Sequence, residues 1–204
     1  RRPAGDAGPV TDTLQRLAVL GAGSWGTTFA KVLADAGRDV TLWARRESVA
    51  TAIRDTRRNP DYLPGVDLPE NLHGTSDFDA ALDGVDAVVL AVPSQALREN
   101  MRVFRDSLPA RIPVVSLAKG VEIGTGLRMS EVISRVGQID SERIVVLTGP
   151  NLAAEIALTR PTASVLACTD HDRARAVQEA CATPYFRPFT TTDVVGAEIA
   201  GTGK

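Results

Sequence analysis

The sequence predicts an α/β fold built as a Rossmann-type, doubly wound and mostly parallel sheet. Three observations point there. Short apolar runs alternate with stretches of helical periodicity along most of the chain. The first run, Leu17-Ala18-Val19-Leu20, ends directly in the glycine-rich turn Gly21-Ala22-Gly23-Ser24-Trp25-Gly26. Trp25, Phe29, Val32, Leu33 and Ala36 then share one helical face, so the turn joins a strand to a helix.

Each later element follows from its own pattern. Residues 25–36 predict a helix stopped by Gly37. Val40-Thr41-Leu42-Trp43 reads as a strand and 47–57 as a helix, completing a βαβ unit. A polar loop, Asn59-Pro60-Asp61-Tyr62-Leu63-Pro64-Gly65, follows. Strands are expected at 86–92, 113–117, 143–147 and 162–168, with an edge strand at 185–189. Helices are expected at 94–108, capped by Ser94, and at 127–136 and 171–182. Ligands of such a sheet lie beyond the carboxyl ends of the strands. The loops 21–26, 44–46, 93–95, 118–120 and 149–151 all follow strands and should converge there. Residues 1–15, rich in Gly, Pro and charge, read as a disordered leader. Residues 16–192 read as the nucleotide-binding domain, and 193–204 as the start of a further helical domain that is cut short.

Composition excludes several classes. A net charge of −2 gives no bulk attraction to nucleic acid or anionic membrane. No apolar run is long enough for a membrane span. Cys168 and Cys181 have neither disulfide-framework nor metal-ligand spacing, so no metal is expected and a reduced, cytoplasmic setting is. Of 23 basic residues only Lys31, Lys119 and Lys204 are lysines. Lysine, unlike arginine, can be tuned to lose a proton, so a retained lysine can mark a need for an amine.

The glycine turn carries the first chemistry. Gly21 permits the tight turn, Gly23 lets backbone approach a pyrophosphate, and Gly26 lets helix and strand pack closely. The helix N-terminus offers N–H groups and a positive dipole to the phosphates. An acidic residue near the end of the second strand would bind a ribose 2′-hydroxyl, but this chain has Arg45 and Arg46. Two arginines suit a 2′-phosphate, so NADP(H) is the expected cofactor, with NAD(H) as a second.

His73 and His171 lie in segments that read as a surface loop and a helix start, poor places for a proton-transfer group. Lys119 sits just past a strand end, and Lys204 follows the small-residue run Glu198-Ile199-Ala200-Gly201-Thr202-Gly203. Two ammonium groups near one site would depress each other's pKa and attract an anionic substrate, such as a phosphorylated carbonyl compound.

These residues bring a family into view. GAGSWGT, TLWARR, NPDYLPG, AVPSQ, SLAKG, LTGPNLAAEI and TTDVVGAEIAGTGK occur in order over residues 16–204. Together they closely resemble bacterial NAD(P)-dependent glycerol-3-phosphate dehydrogenase. The resemblance implies hydride transfer between NAD(P)H and dihydroxyacetone phosphate, giving sn-glycerol 3-phosphate for phospholipid synthesis. It implies that Ser24 and Trp25 join the cofactor loop and that Arg45, Arg46 and Tyr62 line the adenosine side. It places Lys119 against cofactor and substrate, Gly149 and Asn151 on substrate, Ala153 on cofactor, and Lys204 as proton donor and acceptor. The family more often has Ser or Thr at the position of Asn151; Ala200 stands for a glycine and Gly203 is unusual. The family continues into a helical domain that carries most dimer contacts. A homodimer is therefore expected at full length, and cofactor binding without turnover for this portion alone. Two other readings stand beside it: a β-hydroxyacid or ketopantoate-type reductase, and a non-catalytic NADP(H)-binding module.

Overall fold

The computed structural model describes residues 13–202. The expectations for residues 1–12, Gly203 and Lys204 lie outside that range. Eight strands form one sheet: β1 (Arg16–Leu20), β2 (Asp39–Trp43), β3 (Leu72–Thr75), β4 (Ala87–Leu90), β5 (Val114–Ser116), β6 (Ile144–Thr148), β7 (Thr162–Ala167) and β8 (Phe186–Thr191). Their order is β3-β2-β1-β4-β5-β6-β7-β8, and every pairing is parallel except that of β6 with β7. The first six strands thus have the doubly wound order with its switch point between β1 and β4.

The helices are α1 (Ser24–Asp35), α2 (Glu47–Thr56), α3 (Phe78–Leu82), α4 (Leu97–Phe104), α5 (Met129–Gly137), α6 (Ala153–Ala157), α7 (His171–Cys181) and α8 (Val194–Thr202). Side chains alternate across the sheet, so Leu17 and Val19 enter one core layer while Ala18 and Leu20 enter the other. Phe29, Val32 and Leu33 of α1, Val49 and Ile53 of α2, and Val177 of α7 fill the first layer. Leu97, Met101 and Phe104 of α4 with Met129, Val132 and Ile133 of α5 fill the second. Both faces are covered, which is why the central strands read as unbroken apolar runs.

Four details differ from the sequence expectation. His73 lies on β3, an edge strand, where it pairs with Thr41 in register and sits 3.5 Å from Asp39. Residues 78–82 and 153–157 form short helices that the sequence pattern does not announce. Ser94 does not cap a helix: residues 94–96 form a 3₁₀ turn with no side-chain cap, and α4 ends at Phe104 rather than Leu108. Leu14, assigned to the leader, is buried against the first core layer.

Candidate functional site

The glycine turn lies at the switch point. Gly21 has φ +124°, a region that L side chains rarely adopt, and a Cβ there would stand 2.5 Å from the Ala91 carbonyl oxygen beyond β4. A Cβ on Gly26 would be 1.9 Å from the Gly21 carbonyl oxygen. These two glycines are required by the protein's own packing. Gly23 is different: it has an ordinary φ of −72°, and a Cβ there would meet nothing within 4 Å. The space above Gly23 is open. No side chain caps α1, whose N-terminal N–H groups are left to an external acceptor.

That open space belongs to a cleft of about 550 Å³. Gly21, Gly23, Trp25, Gly26, Arg45, Arg46 and Tyr62 all line it. Ala91 to Pro93, Asn100 and Leu117 complete its far wall. The sequence marked loop 93–95 and, within SLAKG, Leu117, but not Asn100, which lies on α4 and carries no motif.

The two arginines behave differently. Arg46 donates to Asp61 at 2.7 Å, and its guanidinium lies 5.4 Å from the centre of the Tyr62 ring. The hydrogen bond to Asp61, and then the Tyr62 and Asp61 charges, push its pKa further above the ordinary arginine value. Arg45 is exposed and has no ion-pair partner among the described residues. It is the arginine available to a new anion.

The polar loop is stapled onto the turn. Asn59 is buried, and its Nδ2 donates to the Ala22 carbonyl at 2.9 Å and to Thr27 Oγ1 at 2.8 Å. Ser24 does not line the cleft; its hydroxyl donates to the Tyr62 carbonyl at 2.6 Å and so holds the loop that does.

A second group gathers beside the first. Lys119 Nζ donates to the Gly149 carbonyl at 2.7 Å, joining the loops after β5 and β6. Gly149 has φ +147°, and the Asn151 amide N–H turns back to the same carbonyl at 2.9 Å. The Asn151 side chain bonds to Ser164 Oγ at 2.6 Å. Ala153 opens α6, and its carbonyl accepts from Thr28 Oγ1 of α1 at 3.2 Å. Neither Gly149, Asn151 nor Ala153 lines the large cleft. Lys119, Thr148, Glu198 and Gly201 instead enclose a void of about 10 Å³. Lys204 lies outside the described residues. Neither histidine lines either cavity. Among the described residues no cluster of His, Cys, Asp and Glu could hold a metal ion, and no helix is long and apolar enough to cross a membrane.

Comparison with known proteins agrees with this layout. The family described as NAD-dependent glycerol-3-phosphate dehydrogenase N-terminus matches residues 16–174. The chain is 59% identical over 188 residues to a glycerol-3-phosphate dehydrogenase (NAD(P)+) of Corynebacterium glutamicum, covering 92% of this chain and 57% of that protein. It is 57% identical over 196 residues to one from Nocardia farcinica, covering 94% and 58%. The solved structure of glycerol-3-phosphate dehydrogenase from Coxiella burnetii superposes with a TM-score of 0.84 at 32% identity, covering 93% of this chain and 57% of that one. The chain thus spans little more than half the length of the curated relatives it matches. With the switch-point turn, the arginines beside it and this match in agreement, the chain belongs to the NAD-dependent glycerol-3-phosphate dehydrogenase family, of which it represents the N-terminal part.

Proposed function

We propose that this chain holds a nicotinamide adenine dinucleotide across the carboxyl ends of β1, β2 and β4. At full natural length the protein would reduce dihydroxyacetone phosphate to sn-glycerol 3-phosphate, reversibly, in the cytoplasm and as a homodimer, supplying phospholipid synthesis. The observation that carries the reading is the clear space over Gly23 at the head of an uncapped α1, inside a cleft edged by Arg45. The residues fit a dinucleotide: backbone N–H groups for a pyrophosphate, an unpaired guanidinium for a 2′-phosphate, and apolar walls for the rings.

When bound, the dinucleotide supplies or takes up a hydride. The chain's own residues do the rest. The 21–26 turn binds phosphate and orients the cofactor, with Ser24 and Tyr62 holding the adjoining loop. Arg45 favours NADP(H), with NAD(H) also used. Lys119, fixed by the Gly149 carbonyl, places an ammonium where an anionic substrate gathers, and preorganised charge of this kind stabilises a developing alkoxide. Asn151 and Gly149 hold the substrate, Ala153 stands on the cofactor side, and Lys204 gives the alkoxide its proton. This N-terminal portion alone binds the dinucleotide without turnover.

A substrate panel on the protein at full natural length tests the reading. Dihydroxyacetone phosphate should be reduced and other carbonyl compounds should not. Lys204→Ala should lower kcat at least ~100-fold, the contribution expected of a general acid. Turnover near the parental rate in that variant, or reduction of a β-keto acid in place of the phosphorylated ketone, would overturn it.

A further inference from the structure

Lys119 stands at the root of a loop with a fold of its own. After β5 the chain stays with the sheet through Leu117, whose N–H donates to the Leu90 carbonyl at 3.0 Å. It bends away at Gly120, which has φ +102°, and a Cβ there would meet nothing within 4 Å. That glycine serves the bend itself rather than any close packing. The segment then turns back on itself. Val121 bridges antiparallel to Arg128, and the Glu122 N–H donates to the Leu127 carbonyl at 2.8 Å.

Two side chains from beyond β4 tie this loop to the body of the domain. Gln95 Nε2 donates to the Val121 carbonyl at 3.0 Å, and Gln95 Oε1 accepts from the Ile123 N–H at 3.0 Å. The side-chain amide thus stands where a neighbouring strand would place a peptide group, and it grips both sides of residue 122. A backbone carbonyl only accepts and a backbone N–H only donates, so the amide has one orientation here. Arg98, three residues on, makes a two-pronged pair with the buried Glu122 at 2.8 Å and 2.7 Å. The Thr125 hydroxyl donates to the same carboxylate at 2.5 Å.

The stretch that grips the loop also walls the dinucleotide cleft. Val92, Pro93, Ala96 and Asn100 line that cleft, and Gln95 does not. Gln95 therefore stands between the two halves of the site, with the cleft wall on one side and the Lys119 loop on the other. The Gly149 carbonyl holds the tip of the Lys119 side chain. Gln95 holds the backbone two residues past its root.

We propose that Gln95 is a positioning residue, whose side-chain amide ties the loop carrying Lys119 to the cleft wall and so sets where the ammonium lies relative to a bound dinucleotide. The inference rests on the reading of Lys119 as the substrate-holding ammonium. Gln95 is exposed, so its two bonds contribute little to the stability of the fold, but hydrogen bonds are directional and define a position.

The test compares Gln95→Ala, Gln95→Glu and Lys119→Ala, singly and with Lys119→Ala combined with Gln95→Ala, in the protein at full natural length. A shift of about 1 Å in a reacting group costs on the order of 100-fold in rate, and the Arg98–Glu122 pair remains to limit the shift. Gln95→Ala should therefore lower kcat/KM for the phosphorylated ketone about tenfold. Its affinity for NADPH should stay within about twofold, and amide hydrogen exchange over 119–126 should quicken. Gln95→Glu keeps the length and lacks the N–H for Val121, so it should lose as much as Gln95→Ala. In the Lys119→Ala background, Gln95→Ala should cost less than about twofold more, because a residue that acts through another has nothing left to position. Should Gln95→Ala not fold, Gln95→Glu takes its place in every comparison. Parental kcat/KM in either folded Gln95 variant, or the full tenfold loss repeated on top of Lys119→Ala, overturns the positioning role alone. Near-parental turnover in Lys119→Ala overturns the reading of Lys119 and this inference with it.

Discussion

The Nδ2 of Asn59 donates to the carbonyl oxygen of Ala22 at 2.9 Å, across 37 residues of chain. The bond holds the glycine turn in shape from outside, with Thr27 Oγ1 as second acceptor. Asn59→Asp keeps the size and removes the donor. It should lower stability by about 1–3 kcal/mol, the cost of leaving buried acceptors unpaired, and weaken NADPH binding in step. Thermal unfolding and fluorescence titration measure both. Parental values in the aspartate variant would show that the bond contributes nothing.

The turn's glycines should separate by role. Gly26→Ala places a methyl against the Gly21 carbonyl and the Ala91 side chain, at 1.9 Å and 2.8 Å. It should destabilise the fold by about 3 kcal/mol or more, the upper range of overpacking. Gly23→Ala meets open space at an ordinary φ, so denaturation should be near parental while dinucleotide affinity falls. Equal loss of stability in both variants would contradict this division.

Arg45 and Arg46 should also part company. Arg45→Ala should cost NADPH about tenfold or more in affinity and leave NADH nearly unchanged, since a charge-assisted hydrogen bond contributes about 1.5–3 kcal/mol. Arg46→Ala releases Asp61 and Tyr62 from their contacts, so both cofactors should weaken together. Titrations with NADPH and NADH distinguish the two patterns.

The loop after Lys119 carries an acid-sensitive anchor. Arg98 makes a two-pronged pair with Glu122 at 2.8 Å and 2.7 Å. That hydrogen bonding, aided by Thr125, holds the Glu122 carboxyl at about 2 against an ordinary 4.5. A carboxyl whose folded pKa lies below its unfolded value stabilises the fold at neutral pH. That contribution should begin to fade as pH falls below about 4.5 and be gone near 2. Urea midpoints measured across this window should fall less steeply in Glu122→Gln than in the parent.

Much of this architecture is legible in residue order. The strand-turn-helix at 17–36 announces itself because an apolar run, three spaced glycines and a helical stripe coincide. β3 is hidden because Leu72-His73-Gly74-Thr75 offers little apolar pattern, as suits an edge strand. Its Gly74 is there for α2, since a Cβ would stand 2.7 Å from the Ala50 carbonyl. The five-residue helices α3 and α6 are too short for periodicity to register. The direction of β7 is equally silent, because a strand's burial pattern carries no sign of its orientation. In the site, the glycines of the turn, Arg45, Arg46 and Tyr62, which line the cleft, stand out through their motifs. Asn59 and Asp61 stand in the motif NPDYLPG, but their bonds to Ala22 and Arg46 span 37 and 15 residues, so residue order alone does not announce what they hold.

The switch point also has a consequence in time. β1 lies between β2 and β4, and its partner Ala87 stands some 70 residues downstream of Leu17. The turn after β1 leans on Ala91, and the cleft's wall is not complete before Leu117. During synthesis the glycine turn therefore leaves the ribosome well before the segments that give it its working shape. Pairings of such separation are slow to form. A nascent chain should gain dinucleotide affinity abruptly, once β4 and β5 have emerged and joined the strand made long before them.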